Sequence, residues 1–276
     1  MTGHDLLTVG DVGLDAYRGE PAPRPGGCAL NVAIHAAAAG AGRVGVVAPV
    51  GADGLHLGAL LQARGVDADH VRARPGATPS QEIEVLPDGE RRFHTYLPGV
   101  LQGWLPDAGQ EQAIRAARLV YLPVWAVTVP LAERVWALRA GVGPVACDLM
   151  NLSDVPLALA ERALGLSAAV FAGLDPERHP AEIERLLSTA ARPGAGTLVI
   201  TLGPGGALAR AGAEQARVEA APVPGGRVLD TTGCGDAFAA AFLTARAQGA
   251  DLRAALQAGT RRAASVAAHL GAVPER

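Results

Sequence analysis

The segment of residues 230–238, DTTGCGDAF, carries the residue types that phosphoryl transfer to an alcohol requires. It follows a short apolar stretch ending at Leu229 and precedes a long alanine-rich run that we predict to be helical. A Gly-X-Gly turn at a helix start presents free backbone N–H groups to an anion. We therefore predict an anion hole at Gly233, Cys234 and Gly235, with the aspartate that follows, Asp236, as a general base.

Asp236 has a competing interpretation, because an aspartate near a helix start often caps the helix. The flanking Gly233 and Gly235 favour catalysis, since a backbone without Cβ lets a ligand approach closely. The positive end of the helix is expected to hold the pKa of the Asp236 carboxyl low, which would make it a weak base. Cys234 would contribute its backbone N–H; the alternative is a nucleophilic thiolate activated by the helix.

A second glycine-rich turn, residues 201–206 (TLGPGG), follows a strongly apolar strand pattern. Turns at the carboxyl ends of strands bind nucleotides in α/β proteins, although a lone example of such a sequence is more often a plain turn. The Lys-Ser/Thr ending of a Walker loop is missing. The chain contains no lysine, so cationic help to a phosphate must come from arginine, a metal ion or backbone N–H groups.

A third polar group lies near the start of the chain. Asp15 follows the end of a predicted strand, and the stretch 26–31 (GGCALN) places Gly27 just before a helix with Asn31 near its start. Converging carboxylate and amide groups can hold two or three sugar hydroxyls. The alternative is a turn aspartate and a capping asparagine.

Composition narrows the class of protein. The 276 residues are 49% hydrophobic with a net charge of −3, so there is a sizeable core and no basic field for nucleic acid. The three cysteines fit neither a disulfide framework nor a zinc site, which favours a reducing cytoplasm. Residues 1–6 lack the pattern of a signal peptide, and we expect no membrane partner.

Hydrophobic periodicity predicts alternating strands and helices, and hence an α/β fold with a mostly parallel sheet. The predicted strands are 6–10, 43–50, 119–122, 144–148, 168–171 and 197–202, with an antiparallel pair at 207–210 and 216–220. The predicted helices are 31–39, 55–64, 131–140, 156–164, 181–191, 237–248 and 252–269. Between residues 79 and 96, a charged hairpin turning at Asp88-Gly89 interrupts the alternation and indicates a lid. One domain, 1–276, is predicted.

The three glycine-containing segments together resemble the ribokinase (PfkB) family of sugar kinases, in the order in which that family carries them. The resemblance implies a three-layer α/β/α fold with a small β lid formed by roughly 12–28 and 80–100. It implies ATP and Mg²⁺ as cofactors, a sugar substrate and, in some members, a homodimer. The site residues that it implies are Asp236 as base, Gly233, Cys234 and Gly235 as anion hole, Asp15, Gly27 and Asn31 for the sugar, Thr201, Gly203 and Gly206 for ATP, and Asp230 and Thr232 for a monovalent cation such as K⁺.

Two departures bear on the substrate and on magnesium. Gly173 stands where the family carries the Asn of an Asn-X-X-Glu motif, and the acid is shifted to Asp175 or Glu177. Cys28 replaces a lysine of ribokinases proper, which argues against ribose. The stretches 10–17, 65–71 and 99–101 resemble the fructoselysine-kinase branch, which phosphorylates the 6-hydroxyl of an amine-linked fructose.

Other functions stay open at the level of sequence. A nucleoside kinase, a fructokinase or a ribokinase of the same family would carry the same motifs. A non-catalytic sugar or nucleotide sensor on this fold is the alternative from a different class. The charged residues Glu90, Arg91 and Arg92 of the hairpin would either meet a charged part of the substrate or lie on a solvated strand.

Overall fold

A computed structural model describes residues 3–152 and 155–274. The predicted domain limits at residues 1 and 276 therefore lie outside the described residues, as does the start of the segment tested for a signal peptide. The strands are β1 (Leu6–Val9), β2 (Gly13–Tyr17), β3 (Arg24–Gly26), β4 (Val44–Val50), β5 (Asp67–Ala73), β6 (Ser80–Val85), β7 (Arg91–Leu97), β8 (Leu119–Pro123), β9 (Val145–Asn151), β10 (Ala169–Gly173), β11 (Thr197–Thr201), β12 (Ala207–Ala211) and β13 (Glu214–Val218). The helices are α1 (Cys28–Ala38), α2 (His56–Ala63), α3 (Ala108–Ala116), α4 (Val129–Arg139), α5 (Leu157–Leu166), α6 (Pro180–Ala190), α7 (Cys234–Ala247) and α8 (Leu252–Ala267).

The main sheet has nine strands in the order β13-β12-β11-β10-β9-β8-β1-β4-β5. All neighbours pair in parallel except β11 with β12 and β12 with β13. Because strands covered on both faces are apolar throughout, β4 reads VGVVAPV and is buried along its whole length. The predicted mostly parallel α/β fold is confirmed.

Helices cover both faces of this sheet and create two apolar cores. One core joins α3, α4, α5 and α6 to the sheet through residues such as Leu7 and Val9. The other joins α1, α2, α7 and α8 through residues such as Leu6 and Val46. Successive residues of β1 thus point to opposite layers, as strand geometry requires.

A second, four-stranded sheet with the order β3-β2-β6-β7 forms the lid. Its strand β2 follows β1 directly, and β6 follows β5, so the lid leaves the main sheet from carboxyl ends of parallel strands. The predicted hairpin turn is present between β6 and β7, with Gly89 at φ +84° as a left-handed turn residue. The lid therefore lies at the edge of the sheet where α/β proteins bind ligands.

Some elements differ from the sequence prediction. Strand β5 was missed because its sequence, DADHVRA, is charged and only partly buried. Helix α3 was missed although Asp107 and Gln110 form a capping box at its start. Helix α1 begins at Cys28, before the predicted position 31, and β13 ends two residues early. No helix in the described part of the chain combines the length and apolar character needed to cross a membrane.

Candidate active site

The loop before α7 brings the predicted anion hole to the edge of the main sheet. Gly233 is the residue before the helix and has φ +75°, a conformation that favours glycine. A Cβ added to it would collide with Ala272. The Cys234 N–H donates to Thr231 O at 3.2 Å, whereas the Gly235 N–H has no acceptor within residues 3–152 and 155–274. A free N–H group at a helix start can bind an anion.

Asp236 lies in the first turn of α7 and is buried, at 7% exposure. Its Oδ2 accepts a hydrogen bond from Asn31 Nδ2 of α1 at 2.8 Å. The position before the helix belongs to Gly233, so Asp236 does not occupy the capping position. Two residues separated by 205 positions, one predicted to be the base and one to bind the sugar, are thus in direct contact.

The prediction of a low pKa for Asp236 is wrong. Burial raises the pKa of its carboxyl, the charges of Asp148 and Asp11 add to the rise, and the resulting pKa is about 8. The hydrogen bond from Asn31 lowers the pKa but does not offset these effects. The prediction considered the helix end alone, whereas removal from water dominates for a carboxyl as buried as that of Asp236. A carboxyl group with such a pKa is a stronger base than a solvated aspartate.

This pKa predicts the pH dependence of the reaction. As the predicted base, Asp236 must be ionised to accept a proton, so activity should rise with pH until the carboxyl is fully deprotonated. We expect kcat/KM to increase about tenfold per pH unit from pH ~6 to ~8 and then to level off, as for a single essential base. Asp148→Asn removes a neighbouring negative charge and should move this limb to lower pH. A profile that is flat between pH 6 and 8 would contradict the assignment.

Strand β2 places the Asp15 carboxylate directly against Gly26, where an added Cβ would collide with it. Gly27 has φ +96°, and a Cβ there would lie 2.6 Å from Asp11 O. The Asp11 carboxylate in turn accepts hydrogen bonds from the N–H groups of Cys28 and Ala29 at 3.0 and 3.4 Å. Both glycines are needed for close backbone approach, which fixes the predicted sugar-binding segment beside Asp15.

Sequence reasoning missed two acids of this site, Asp11 and Asp148. Both are buried, and burial raises the pKa of both, that of Asp148 to about 6. Asp11 follows the carboxyl end of the central strand β1 by two residues, and Asp148 lies within the central strand β9, so both acids accompany strands that the sequence pattern predicts. Together with Asp15 and Asp236 they make this part of the site rich in buried carboxyl groups that can form hydrogen bonds.

Two polar atoms of the site are buried without a partner among the described residues. They are Asn31 Oδ1 and the hydroxyl of Tyr96, a lid residue on β7. Burial raises the pKa of the Tyr96 hydroxyl, and its ring packs edge-on against Trp125 with ring centroids 6.0 Å apart. Buried polar groups are normally hydrogen-bonded, so these atoms are suited to bind a ligand. Neither aromatic residue was predicted from sequence.

Asp230 is fully buried and accepts three hydrogen bonds within the protein. The donors are the Tyr17 hydroxyl at 2.7 Å, Thr232 N at 2.8 Å and Gly271 N at 2.8 Å. The side-chain oxygen of Thr232 is buried without a partner in the described chain, and no described cationic side chain pairs with Asp230. An unpaired buried carboxylate beside an unpartnered oxygen fits a monovalent cation, for which both residues were predicted.

The predicted nucleotide segment lies at the same edge of the sheet, two strands from β9. Thr201 ends β11, and Gly203 and Gly206 follow at φ +54° and +85°. A Cβ at Gly206 would collide with the Val218 carbonyl. Among the described residues, no hydrogen bond or ion pair joins these three residues to Asp236 or to the loop that contains Asp230. Their role in ATP binding stays a prediction.

Gly173, the position of the altered magnesium motif, pairs with Asn151 on the neighbouring strand β9. A Cβ at Gly173 would lie 3.2 Å from Asn151 Oδ1, so the amide of Asn151 occupies the space beside the missing asparagine. No cluster of three or more His, Cys, Asp or Glu residues suited to a metal ion occurs in residues 3–152 and 155–274. The residues near Gly173 fit a Mg²⁺ ion that takes most of its ligands from phosphate oxygens and water.

The cysteines near the site are poor nucleophiles. Burial raises the pKa of Cys234 to about 12, and its Sγ donates to Ala263 O at 3.5 Å. Burial also raises the pKa of Cys28, whose Sγ lies 3.7 Å from Met150 Sδ. Because the thiolate is the reactive form, the nucleophilic alternative for Cys234 is not supported.

Comparison with known proteins identifies related kinases. Residues 15–275 match the model of the pfkB family carbohydrate kinase. The chain is 31% identical over 269 residues to the fructoselysine 6-kinase of Escherichia coli (strain K12), covering 97% of this chain and 98% of that protein. The adenosine kinase from Sinorhizobium meliloti has the same fold, with a TM-score of 0.85 and 24% identity over 98% of this chain and 96% of that one.

A ribokinase from Cryptococcus neoformans var. grubii serotype A, solved in complex with ADP, also shares the fold. Its TM-score is 0.77 at 20% identity, over 98% of this chain and 96% of that one. The fold resemblance, the family match over most of the chain and the similarity to a curated kinase lead to one conclusion. The chain belongs to the pfkB family of carbohydrate kinases, and it is a phosphotransferase that uses a hydroxyl group as acceptor.

Proposed function

We propose that the protein transfers the γ-phosphoryl group of ATP to a primary hydroxyl of a sugar or sugar derivative. The observation that carries this proposal is the contact between Asn31 and Asp236, which joins the predicted sugar segment to the predicted base. A hydroxyl bound beside Asp15 and Asn31 would lie next to a buried carboxylate able to take its proton. A sensor needs no such base, and the relatives are kinases, so the sensor alternative has no support.

In the proposed reaction, Asp236 accepts the proton of the acceptor hydroxyl. The hydroxyl oxygen forms a bond to the γ-phosphorus while the bond to the bridging oxygen breaks, and the electron pair of that bond leaves with ADP. Within the loop 233–235, the free Gly235 N–H would bind an oxygen of the transferred group, where negative charge spreads in a loose transition state, and the Cys234 N–H would join it on leaving Thr231 O. These backbone groups are fixed before the reaction by the left-handed Gly233 and the start of α7.

Two kinds of cation would assist this chemistry. Mg²⁺ would neutralise the phosphates of ATP, supported by Asn151, Asp175 or Glu177 near Gly173. Asp230 and Thr232 would hold a monovalent cation such as K⁺ and thereby keep positive charge beside the anion hole. Thr201, Gly203 and Gly206 would contact ATP at the carboxyl end of β11.

For the acceptor we propose a fructosamine such as fructoselysine, phosphorylated at its 6-hydroxyl. Similarity to the Escherichia coli fructoselysine 6-kinase supports this choice over the whole chain. The buried carboxylates of Asp11, Asp15 and Asp148 also suit a polyol that carries an ammonium group. A nucleoside kinase is the second candidate, because the Tyr96–Trp125 pair could stack with a base.

A phosphorylation screen separates these acceptors. With ATP and Mg²⁺, we expect fructoselysine to show a kcat/KM about 10²-fold or more above those of ribose, fructose and adenosine, since unpaired buried polar groups penalise incomplete substrates strongly. The measurement is ADP release coupled to detection of the sugar phosphate. Equal turnover of ribose, fructose and fructosamines, or none with any fructosamine, would reject the substrate assignment. Preferred turnover of a nucleoside would establish the second candidate.

The proposal extends to the location of the protein in the cell and to its assembly. The free thiols Cys28, Cys147 and Cys234 support a cytoplasmic protein, because reducing compartments keep thiols unpaired. The edge strand β7 of the lid exposes Phe93 and Leu97, which supports the prediction of a homodimer formed through the lids.

A further inference from the structure

Arg91 is the first residue of the lid strand β7 and lies at the base of the hairpin turn. Its Nη1 donates to Thr231 Oγ1 at 2.9 Å, and the neighbouring Gly89 O accepts a hydrogen bond from Thr231 N at 3.1 Å. Thr231 stands two residues before Gly233. The lid hairpin is therefore attached to the loop that forms the anion hole, and it brings a guanidinium group to that loop.

The Arg91 guanidinium retains one N–H donor that no acceptor among the described residues satisfies. Its Nε is buried and has no hydrogen-bond partner in the described part of the chain. The group lies over the Phe93 ring, 5.2 Å from the ring centroid, which orients the guanidinium plane. Glu90 is its acidic neighbour, but the carboxylate is 3.9 Å away and more than half exposed. An N–H donor held in a partly buried position without an acceptor is suited to bind an anion.

The charge of Arg91 reaches the anion hole. Burial raises the pKa of Cys234, the middle residue of the hole, and the positive charge of Arg91 lowers it. The other charges that act on this thiol, those of Asp230, Glu90 and Asp236, are negative. Because the chain contains no lysine, Arg91 is the side chain placed to supply positive charge to this loop.

We propose that Arg91 binds the phosphoryl group during its transfer from ATP to the acceptor and stabilises the negative charge of that group. This inference rests on the proposed kinase function and adds a side chain from the lid to the backbone donors of the anion hole. As the acceptor oxygen bonds to the γ-phosphorus and the bond to ADP breaks, charge accumulates on the equatorial oxygens and on the leaving oxygen. A planar guanidinium can donate to two such oxygens at once.

Because Arg91 lies on the lid, the position of its positive charge would depend on whether the acceptor is bound. Strand β2 of the same sheet carries Asp15, predicted to bind the sugar, and Tyr17, which donates to Asp230 beside the anion hole. Acceptor binding would thus hold the lid, and with it Arg91, against the loop 230–235. Without acceptor the positive charge would be less well fixed, which would slow transfer of the phosphoryl group to water.

The test compares Arg91→Ala with two matched variants. Arg92→Ala removes the adjacent arginine, which is exposed and pairs with Glu84. Thr231→Val removes the hydrogen bond of Arg91 while keeping its charge. We expect Arg91→Ala to lower kcat by about 10³-fold, as loss of a phosphoryl-binding arginine does elsewhere. Thr231→Val should lower kcat by less than about tenfold, since it removes a single hydrogen bond, and Arg92→Ala should leave kcat unchanged.

Two readouts separate this role from a structural one. Added guanidinium ion should restore part of the kcat of Arg91→Ala, and the Kd of ATP and the KM of the acceptor should stay close to their wild-type values. Arg91→Lys should retain intermediate activity, because it keeps the charge without the planar fork.

Three results would overturn the proposal: an effect of Thr231→Val as large as that of Arg91→Ala, a loss confined to acceptor KM, or normal turnover by Arg91→Ala. If Arg91→Ala is active while Asp236→Asn is inactive, the role of Arg91 fails and the kinase function stands. If both variants turn over normally, the roles of Arg91 and Asp236 both fail, and the proposed function itself fails if the wild-type protein phosphorylates no sugar, nucleoside or fructosamine.

Discussion

Asp236→Asn is expected to lower kcat by about 10²–10⁴-fold, the usual contribution of a positioned general base. The substitution keeps the shape of the side chain, and its amide oxygen can still accept the hydrogen bond from Asn31. What it removes is the ability to take a proton from the acceptor hydroxyl. Steady-state kinetics at saturating ATP and acceptor measure the effect, and ATP binding should be nearly unchanged.

A matched variant makes this result interpretable. Asp148→Asn alters a second buried acid of the same site, whose carboxylate accepts hydrogen bonds from Met150 N and the Tyr121 hydroxyl. It should retain a working base and show a displaced pH profile rather than a collapse of kcat. Near-normal turnover by Asp236→Asn, or an equal loss in both variants, would exclude Asp236 as the specific base.

Gly233→Val is expected to abolish measurable turnover and to destabilise the fold. Valine is strained at φ +75°, at a cost of about 1–3 kcal/mol, and its Cβ would collide with Ala272. The collision would displace the loop that presents N–H groups to the phosphoryl group. Activity assays combined with thermal unfolding measure both effects.

The control for this variant is Gly249→Val. Gly249 follows α7 at φ +89°, and a Cβ there meets nothing within 4 Å. It therefore imposes comparable backbone strain without a collision and far along the helix from Asp236. We expect Gly249→Val to lower the melting temperature while kcat changes little. If Gly233→Val keeps its turnover, or if both variants lose turnover in parallel with stability, the anion-hole assignment is contradicted.

The elements of the main sheet could be predicted from sequence because their patterns are strong and local. Strands such as β4 and β11 are continuous apolar runs between turns, which leaves few alternatives. Strand β5 and helix α3 escaped prediction because neither has a clear apolar pattern. Their structures depend on neighbours: β5 pairs with the edge of β4, and α3 is held by the capping box of Asp107 and Gln110.

The candidate site was predicted in part, and the gap has a physical reason. Motif glycines and acids such as Gly233 and Asp236 can be recognised from spacing. The contact of Asn31 with Asp236, by contrast, depends on how α1 packs against α7, because the two residues are 205 positions apart in the sequence. The pKa of Asp236 was predicted in the wrong direction because its value depends on burial, which a local sequence does not reveal.

The contacts of the lid also could not be predicted from sequence. Its hairpin is evident from Asp88-Gly89, yet the sequence does not say that Arg91 meets Thr231 or that Tyr17 meets Asp230. Such contacts connect two sheets and depend on the pairing of β2 with β6, which joins distant parts of the chain. The residues that couple the lid to the anion hole are therefore visible in the structure alone.

Phosphorus NMR of the wild-type protein with ATP, Mg²⁺ and fructoselysine tests the central claim most directly. The account predicts that one sugar phosphomonoester appears for each ADP, that the new phosphate is on the 6-oxygen, and that Asp236→Asn forms neither product at a comparable rate. ADP that accumulates without a phosphomonoester from any sugar, nucleoside or fructosamine, or equal ester formation by Asp236→Asn, would contradict it.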